Sequence, residues 1–256
     1  MTPSDAAKEV QSRLETVSGK FVVIDKVNDI AGYATIRIAS ADAPAHLFRY
    51  KPEFETELPY LLAFQCALAL RTVEAKPENC FDVSSTETLG LELPRRVRDH
   101  LRKNSPNVNE SIIPQFAAQL ANGLGAQIRT IPVSIRVEAL LAANYPCLCS
   151  FQRKINERHI QESMAALGAN IRAIAPPKVL DANLGMSAAF AKFLAREWSE
   201  PHLAAAFVSA GYGKIADDLL DLIDTIDTSP DGDRQLVEAW AKTVGISDWY
   251  VTVPKV

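Results

Sequence analysis

The sequence is poor in the residues that most metal and thiol chemistry requires. Its 256 residues include only four cysteines and four histidines. Four cysteines do not make a disulfide framework in a chain of this length, so we interpret them as free thiols. Cys147 and Cys149 form a C-x-C pair, but no second Cys or His pair follows at the spacing of a zinc site. The sequence therefore predicts no metal and no cofactor.

The chain also lacks a large excess of charge and an apolar run long enough for a membrane helix. Its formal net charge of -4 gives no general attraction to nucleic acid or to anionic lipids. The apolar stretch Leu58–Leu70 is too short to cross a bilayer, and Met1–Asp5 does not begin a signal peptide. We expect a soluble, cytoplasmic protein that binds neither nucleic acid nor membrane.

Two common enzyme motifs are absent as well. No Gly-rich loop follows a predicted strand, which argues against a nucleotide-binding βα unit. Ser187 and Ser209 do not lie in a G-x-S-x-G sequence, which argues against a serine hydrolase of that type.

What is present is an apolar chain, 48% hydrophobic, with mainly helical periodicity. Apolar spacing predicts a helix over residues 3–18. Three β-branched or aromatic segments then predict strands in an antiparallel meander: Lys20–Val27, Tyr33–Ala39 and Ala45–Tyr50. The segment Leu58–Arg71 is predicted to form a buried helix, and the apolar periodicity predicts helices from about residue 109 onward.

The predicted fold class is therefore α+β and mostly helical. A small antiparallel meander near the N-terminus is followed by the buried helix and an irregular helical domain. We expect one domain over residues 1–150 and a helical region over residues 151–256, packed together as one unit. The sequence does not indicate the oligomeric state.

The strand Ala45–Tyr50 and the helix Leu58–Arg71 resemble those of bacterial zincin-like metallopeptidases, of the general kind that includes the IrrE/ImmA-like proteins. The resemblance covers chiefly the first third of the chain. In zincins an H-E-x-x-H helix carries two zinc ligands and a general base. The resemblance places these three positions on Phe64, Gln65 and Leu68. None of these residues has the required chemistry, so we expect a degenerate site.

The resemblance further implies a third ligand, a carboxylate on a later helix, for which Glu138 is the candidate. Phe64 and Leu68 would then fill the place of the metal. A buried Glu138 would need a partner, because an unpaired buried carboxylate is costly. We expect that partner to be Arg71, with Arg136 as the second choice.

The resemblance implies a catalytically inactive, metallopeptidase-like protein that acts as a binding or regulatory component of a larger assembly, with a protein partner. One alternative is a hydrolase whose rearranged site combines Glu138, a cysteine and a histidine. Another is an α-rich structural or interaction domain unrelated to zincins, because an apolar helix is common in any helical core. The residues favour a protein that is not an enzyme.

Overall fold

A computed structural model describes residues 1–104 and 109–255 of the chain. Helices dominate the structure, with two small sheets, and this confirms a mostly helical α+β fold. The elements follow one another as α1 (Pro3–Ser18), β1 (Phe21–Lys26), β2 (Ala34–Arg37), β3 (Ala45–Tyr50), α2 (Leu58–Glu74), β4 (Phe81–Ser85), α3 (Glu87–Asn104), α4 (Ile113–Asn144), α5 (Cys149–Met164), α6 (Ala169–Ile174), α7 (Pro177–Glu197), α8 (His202–Phe207), α9 (Gly213–Thr225), α10 (Asp233–Thr243) and β5 (Tyr250–Pro254).

The first helix forms where the sequence predicts it. Thr2 and Asp5 make a capping box, in which each side chain accepts a hydrogen bond from the other residue's backbone N–H. Gly19 ends the helix with φ of 68°, a left-handed conformation that glycine adopts without strain. The apolar face of α1 packs mainly on α2.

The first sheet is not the predicted antiparallel meander. The strand order is β1-β3-β2, with β3 parallel to β1 and antiparallel to β2. The connection over residues 27–33 crosses two strand spacings, about 10 Å, and so leaves room for β3 between the other strands. Every second residue of β3 is buried, namely His46, Phe48 and Tyr50. A larger share of its residues is buried than in β1 or β2, which is why β3 occupies the centre of the sheet.

The second sheet pairs two distant segments. The segment Tyr250–Pro254 forms β5, which pairs antiparallel with β4. The sequence pattern does not predict β4, because its alternation extends over only five residues. Thr86 links the two segments, since its side chain donates to the carbonyl of Asp248 and its backbone N–H donates to that of Trp249.

The longest helix, α4, joins two apolar cores. Its 32 residues continue through Pro132. Most of its buried residues pack in a larger core with α3 and α7–α10, whereas Val137 and Leu141 pack in a smaller core with α1, β3 and α2. The predicted division at residue 150 stays a prediction, and the apolar packing itself divides along α4.

Across the part of the chain that the structure describes, the helices are either too short or too polar to span a lipid bilayer.

A buried histidine connects α1 to the first sheet. The His46 side chain accepts a hydrogen bond at Nδ1 from the Ala39 backbone N–H at 3.0 Å, so its proton lies on Nε2, 2.8 Å from the Ser18 hydroxyl. The Ser18 hydroxyl in turn donates to the Leu14 carbonyl. Burial, and secondarily the positive charge of Lys20, lower the pKa of His46. The site therefore holds a neutral imidazole.

We expect His46 to make the fold less stable in mild acid. Its pKa is lower in the folded protein than the value of about 6.5 in the unfolded chain, so the unfolded chain takes up the proton first. The contribution of neutral His46 to the free energy of unfolding is complete above pH 6.5 and falls as the pH drops below that value. Between pH 7.5 and 5.5 the wild type should lose at most about 1.4 kcal/mol relative to His46→Gln, measured by urea denaturation. Equal pH dependence of the two proteins would contradict this.

Candidate functional site

A large cavity lies between the first sheet and the helical core. Its volume is about 940 Å³, and α2, α4, α5 and α7 form its walls together with β2 and the segment before it. This volume is near the upper end of the range of about 300–1,000 Å³ for small-molecule sites. The cavity is therefore the principal candidate site in the described part of the chain.

All five residues predicted for the degenerate site line this one cavity: Phe64, Gln65, Leu68, Arg71 and Glu138. The helix α2 presents the first four of them because residues three and four apart share a face. The fold thus brings Glu138 of α4 to the Phe64 and Leu68 face of α2, although 70 residues separate Leu68 from Glu138 in the sequence. The structure therefore places these five residues around one cavity.

Gln65, which the zincin resemblance assigned to the general base, contacts the sheet. Its amide donates a hydrogen bond to the Ala34 carbonyl of β2 at 3.2 Å. An amide cannot take a proton from water as a carboxylate does. The side chain therefore connects α2 to β2.

The strand β2 is an edge strand, and its open side faces the cavity. The Tyr33 carbonyl accepts a hydrogen bond from Lys51, next to β3. In an antiparallel ladder the backbone groups alternate in direction, so those of Ala34 and Ile36 point away from β3. The Gln65 bond to Ala34 agrees with this direction. The Ile36 backbone thus offers a donor and an acceptor at the cavity wall.

Glu138 is buried, with 1% of its surface exposed, and neutral groups surround its carboxylate. The Tyr60 hydroxyl donates to Oε1 at 2.5 Å, and the Gln152 amide donates to Oε2 at 2.6 Å. Burial raises the pKa of Glu138 to about 6, although these hydrogen bonds oppose the rise. The expected ion pair between Glu138 and Arg71 is therefore wrong, because Tyr60 and Gln152 occupy the carboxylate.

Arg71 and Arg136 instead share a different carboxylate, that of Asp233. Arg71 binds it through two hydrogen bonds of 2.6 and 2.7 Å, and Arg136 adds a third of 2.9 Å. One terminal nitrogen of each arginine also donates to backbone carbonyls, those of Thr228 and Ser229 for Arg71 and that of Ile226 for Arg136, whereas Arg136 Nε has no partner among the described residues. All three charged side chains are almost fully buried. We call Arg71, Arg136 and Asp233 the ion triad.

The polar lining of the cavity was not among the residues predicted from the sequence. On α4 and α5, polar residues recur at intervals of three and four and face the space, which places them on one side of each helix. This spacing within mainly apolar helices is the signal that could have identified them. They are Gln127, Thr130 and Ser134 on α4, and Asn156, His159 and Ser163 on α5.

The residues that the zincin resemblance assigned to a metal site do not fit a zinc ion. Phe64 and Leu68 have no donor atoms, and both oxygens of Glu138 already accept hydrogen bonds. Within residues 1–104 and 109–255, no three His, Cys, Asp or Glu side chains are grouped so that they could hold a metal.

Among the described residues, no cysteine thiol is hydrogen-bonded to a histidine as a nucleophile would be to its base. Cys66 is fully buried in the smaller core, and burial raises the pKa of its thiol to about 12, which disfavours a thiolate. Cys80 lines the cavity, but its thiol donates to the Thr72 carbonyl. His159 packs edge-on against Phe190, with ring centroids 5.5 Å apart.

Comparisons of the chain with protein-family models, with curated proteins and with solved structures find no match. The zincin resemblance therefore stays a prediction.

We expect Glu138→Gln to remove a pH dependence from the fold. The folded pKa of about 6 lies above the ordinary value of 4.5, so Glu138 supports the fold best below pH 4.5 and progressively less as the pH rises through 6. Relative to the variant, the wild type should lose about 2 kcal/mol of unfolding free energy between pH 4.5 and 7.5. Gln152 can rotate to accept from the new amide, because its own oxygen has no partner among the described residues.

Chemical denaturation of both proteins across this pH range measures the effect. A constant difference between the two would mean that Glu138 titrates as an exposed carboxyl.

The ion triad should be essential for stability. Asp233→Asn leaves two buried guanidinium groups facing a neutral amide, and breaking such a buried pair costs about 3–5 kcal/mol. As a matched control, Asp218→Asn removes an exposed pair with Lys214 and should change stability by less than about 0.5 kcal/mol. Urea denaturation at neutral pH compares them. A loss in Asp233→Asn no larger than the control's would show that the triad is solvated in solution.

Proposed function

We propose that this protein is a catalytically inactive, zincin-like binding protein that holds an extended segment of a protein partner in its cavity. Such a protein would act as a binding or regulatory component of a larger assembly. One observation carries the proposal: the edge strand β2 lines the cavity together with Phe64 and Leu68, the two residues that the zincin resemblance assigns to the positions of zinc ligands.

The open edge favours an extended polypeptide over a compact small molecule. An edge strand presents backbone donors and acceptors to which another strand can add. The adjoining walls supply pockets for alternate side chains, with apolar surface from Phe64, Leu68 and Phe190. Polar side chains on α4 and α5 can satisfy the backbone groups that β2 does not reach.

The chemistry of the site supports recognition in place of hydrolysis. The general-base position carries Gln65, which is already bonded to β2. Tyr60 and Gln152 donate hydrogen bonds to the two carboxylate oxygens of Glu138. This carboxylate therefore has a structural role in the cavity wall. The binding proposal depends on the cavity itself, so it applies equally if the zincin resemblance is accidental.

The hydrolase alternative has one observation in its favour. Glu138 has a pKa raised to about 6, and it lines the same cavity as Cys80 and His159. Titratable groups with shifted pKa values gather in active sites, although structural networks produce them too. The two functions differ in whether a bound peptide is cleaved.

Blocking the cavity should abolish peptide binding. Ser134 lies on the cavity face of α4, so Ser134→Phe fills space that a segment would occupy. Ser150→Phe adds the same ring at an exposed position of α5 and serves as the matched control. Fluorescence polarisation with labelled random hexapeptides rich in apolar residues should show binding to the wild type and the control, and at least tenfold weaker binding to Ser134→Phe.

Mass spectrometry of the same peptides separates the two functions. We expect them to remain intact. Cleavage by wild-type protein, with stoichiometric metal that is lost in Glu138→Ala, would establish the hydrolase and overturn our proposal. Equal binding to Ser134→Phe and the wild type would place the peptide outside the cavity.

A further inference from the structure

One end of the cavity carries more positive than negative charge. Arg129 of α4 forms an ion pair of 2.6 Å with Asp82, and Lys255 lies beside them. The backbone N–H of Lys255 donates to the Cys80 carbonyl at 3.1 Å, which holds the residue at this end. Lys255 is half-buried and lines the cavity. One carboxylate thus faces two cations.

The ion triad lies at the same end. Arg71 and Asp233 line the cavity, Arg136 shares the Asp233 carboxylate, and the negative charge of Asp227 lies close to Arg136, so the surplus positive charge comes from Arg129 and Lys255. The Cys80 thiol donates at 3.2 Å to the carbonyl of Thr72, the residue after Arg71, and the Cys80 carbonyl accepts from the Lys255 backbone. Cys80 therefore lies between the two groups of charges. We call the region formed by Arg71, Arg129 and Lys255 the cationic end.

One wall of the cationic end, formed by Arg71 and Asp233, is nearly closed to solvent, whereas Arg129 and Asp82 are partly exposed. Only 11% of the Arg71 side chain and 6% of the Asp233 side chain are exposed, and their hydrogen bonds tie α2 to the start of α10. A continuous polypeptide would have to turn away from this wall. A chain that ends there needs no exit and brings a carboxylate to the positive charge.

The distance from β2 to the cationic end matches the length of a short extended peptide. Gln65 marks the position of β2 along α2, and Thr72 marks the cationic end. Seven residues of α-helix rise about 10 Å. About three residues of extended chain cover the same distance.

We propose that the cavity binds the C-terminus of a partner chain, with its terminal carboxylate at the cationic end beside Lys255 and Arg129. This inference rests on the proposed function, since it specifies which kind of segment enters the cavity. Lys255 contributes an ammonium group that can donate to the carboxylate, and Arg129 contributes a second positive charge.

The test compares hexapeptides that differ only at the C-terminus. Fluorescein-labelled hexapeptides with random apolar residues at the last four positions are made as free acids and as amides. By fluorescence polarisation, the wild type should bind the acids about tenfold or more tightly than the amides, because hydrogen bonds between charged groups are the stronger kind.

Removing one cation should remove this preference without removing binding. Lys255→Gln should bind acids and amides within about twofold of each other, and its affinity for the amides should match that of the wild type. Arg129→Gln is a second variant with the same expected direction. Lys8→Gln changes an exposed lysine of α1 outside the cavity and should retain the full preference.

The outcomes separate this inference from the function on which it rests. Equal binding of acids and amides by the wild type would overturn the inference and leave peptide binding in place. Amides that end in glutamate and bind as well as the acids would also overturn it, because a side-chain carboxylate would then suffice. Binding of neither form would overturn both proposals.

Discussion

Two buried arginines share one buried carboxylate at the junction of α2, α4 and α10, and this arrangement determines how the rest of the structure can be placed. Charges of this kind are tolerated inside a protein only when nearly every donor finds an acceptor. Asp233 and the carbonyls at residues 226–229 supply those acceptors. The orientation of α2 follows from the position of Arg71. Since residues three and four apart share a helix face, that orientation also directs Phe64 and Leu68 into the cavity.

The cavity wall contains two groups of polar residues with different roles, one around Glu138 and one near Lys255. Neutral donors hold Glu138 deep in the wall, where burial raises its pKa without any opposing charge in contact. The surplus positive charge lies at the other end of α2, near Lys255 and Arg129. Between them, Gln65 connects the helix to the edge of β2. A ligand in this space meets an open strand edge, apolar side chains and a cationic end, a combination that suits recognition of a peptide better than acid–base chemistry.

Several parts of the fold and of the site follow from local sequence pattern. The helices α1 and α2 lie where apolar spacing predicts them, and Phe64, Leu68 and Glu138 line one cavity. The failures concern long-range pairing. The central position of β3, the pairing of β4 with β5, and the choice of Asp233 by Arg71 each join residues far apart in the sequence. Several partners were chemically equivalent before the chain folded, so pattern alone could not choose among them.

The sequence by itself determined the helical character of the chain, the apolar face of α2 and the absence of zinc ligands at Phe64, Gln65 and Leu68, because these properties depend on residue type and local spacing. Only the tertiary structure decided that this face borders a cavity of about 940 Å³, that Tyr60 and Gln152 hold Glu138, and that cations gather at one end. The physical reason is that burial and charge pairing depend on which distant surfaces meet. A carboxylate acquires its partner, and hence its pKa, only when the helices have packed.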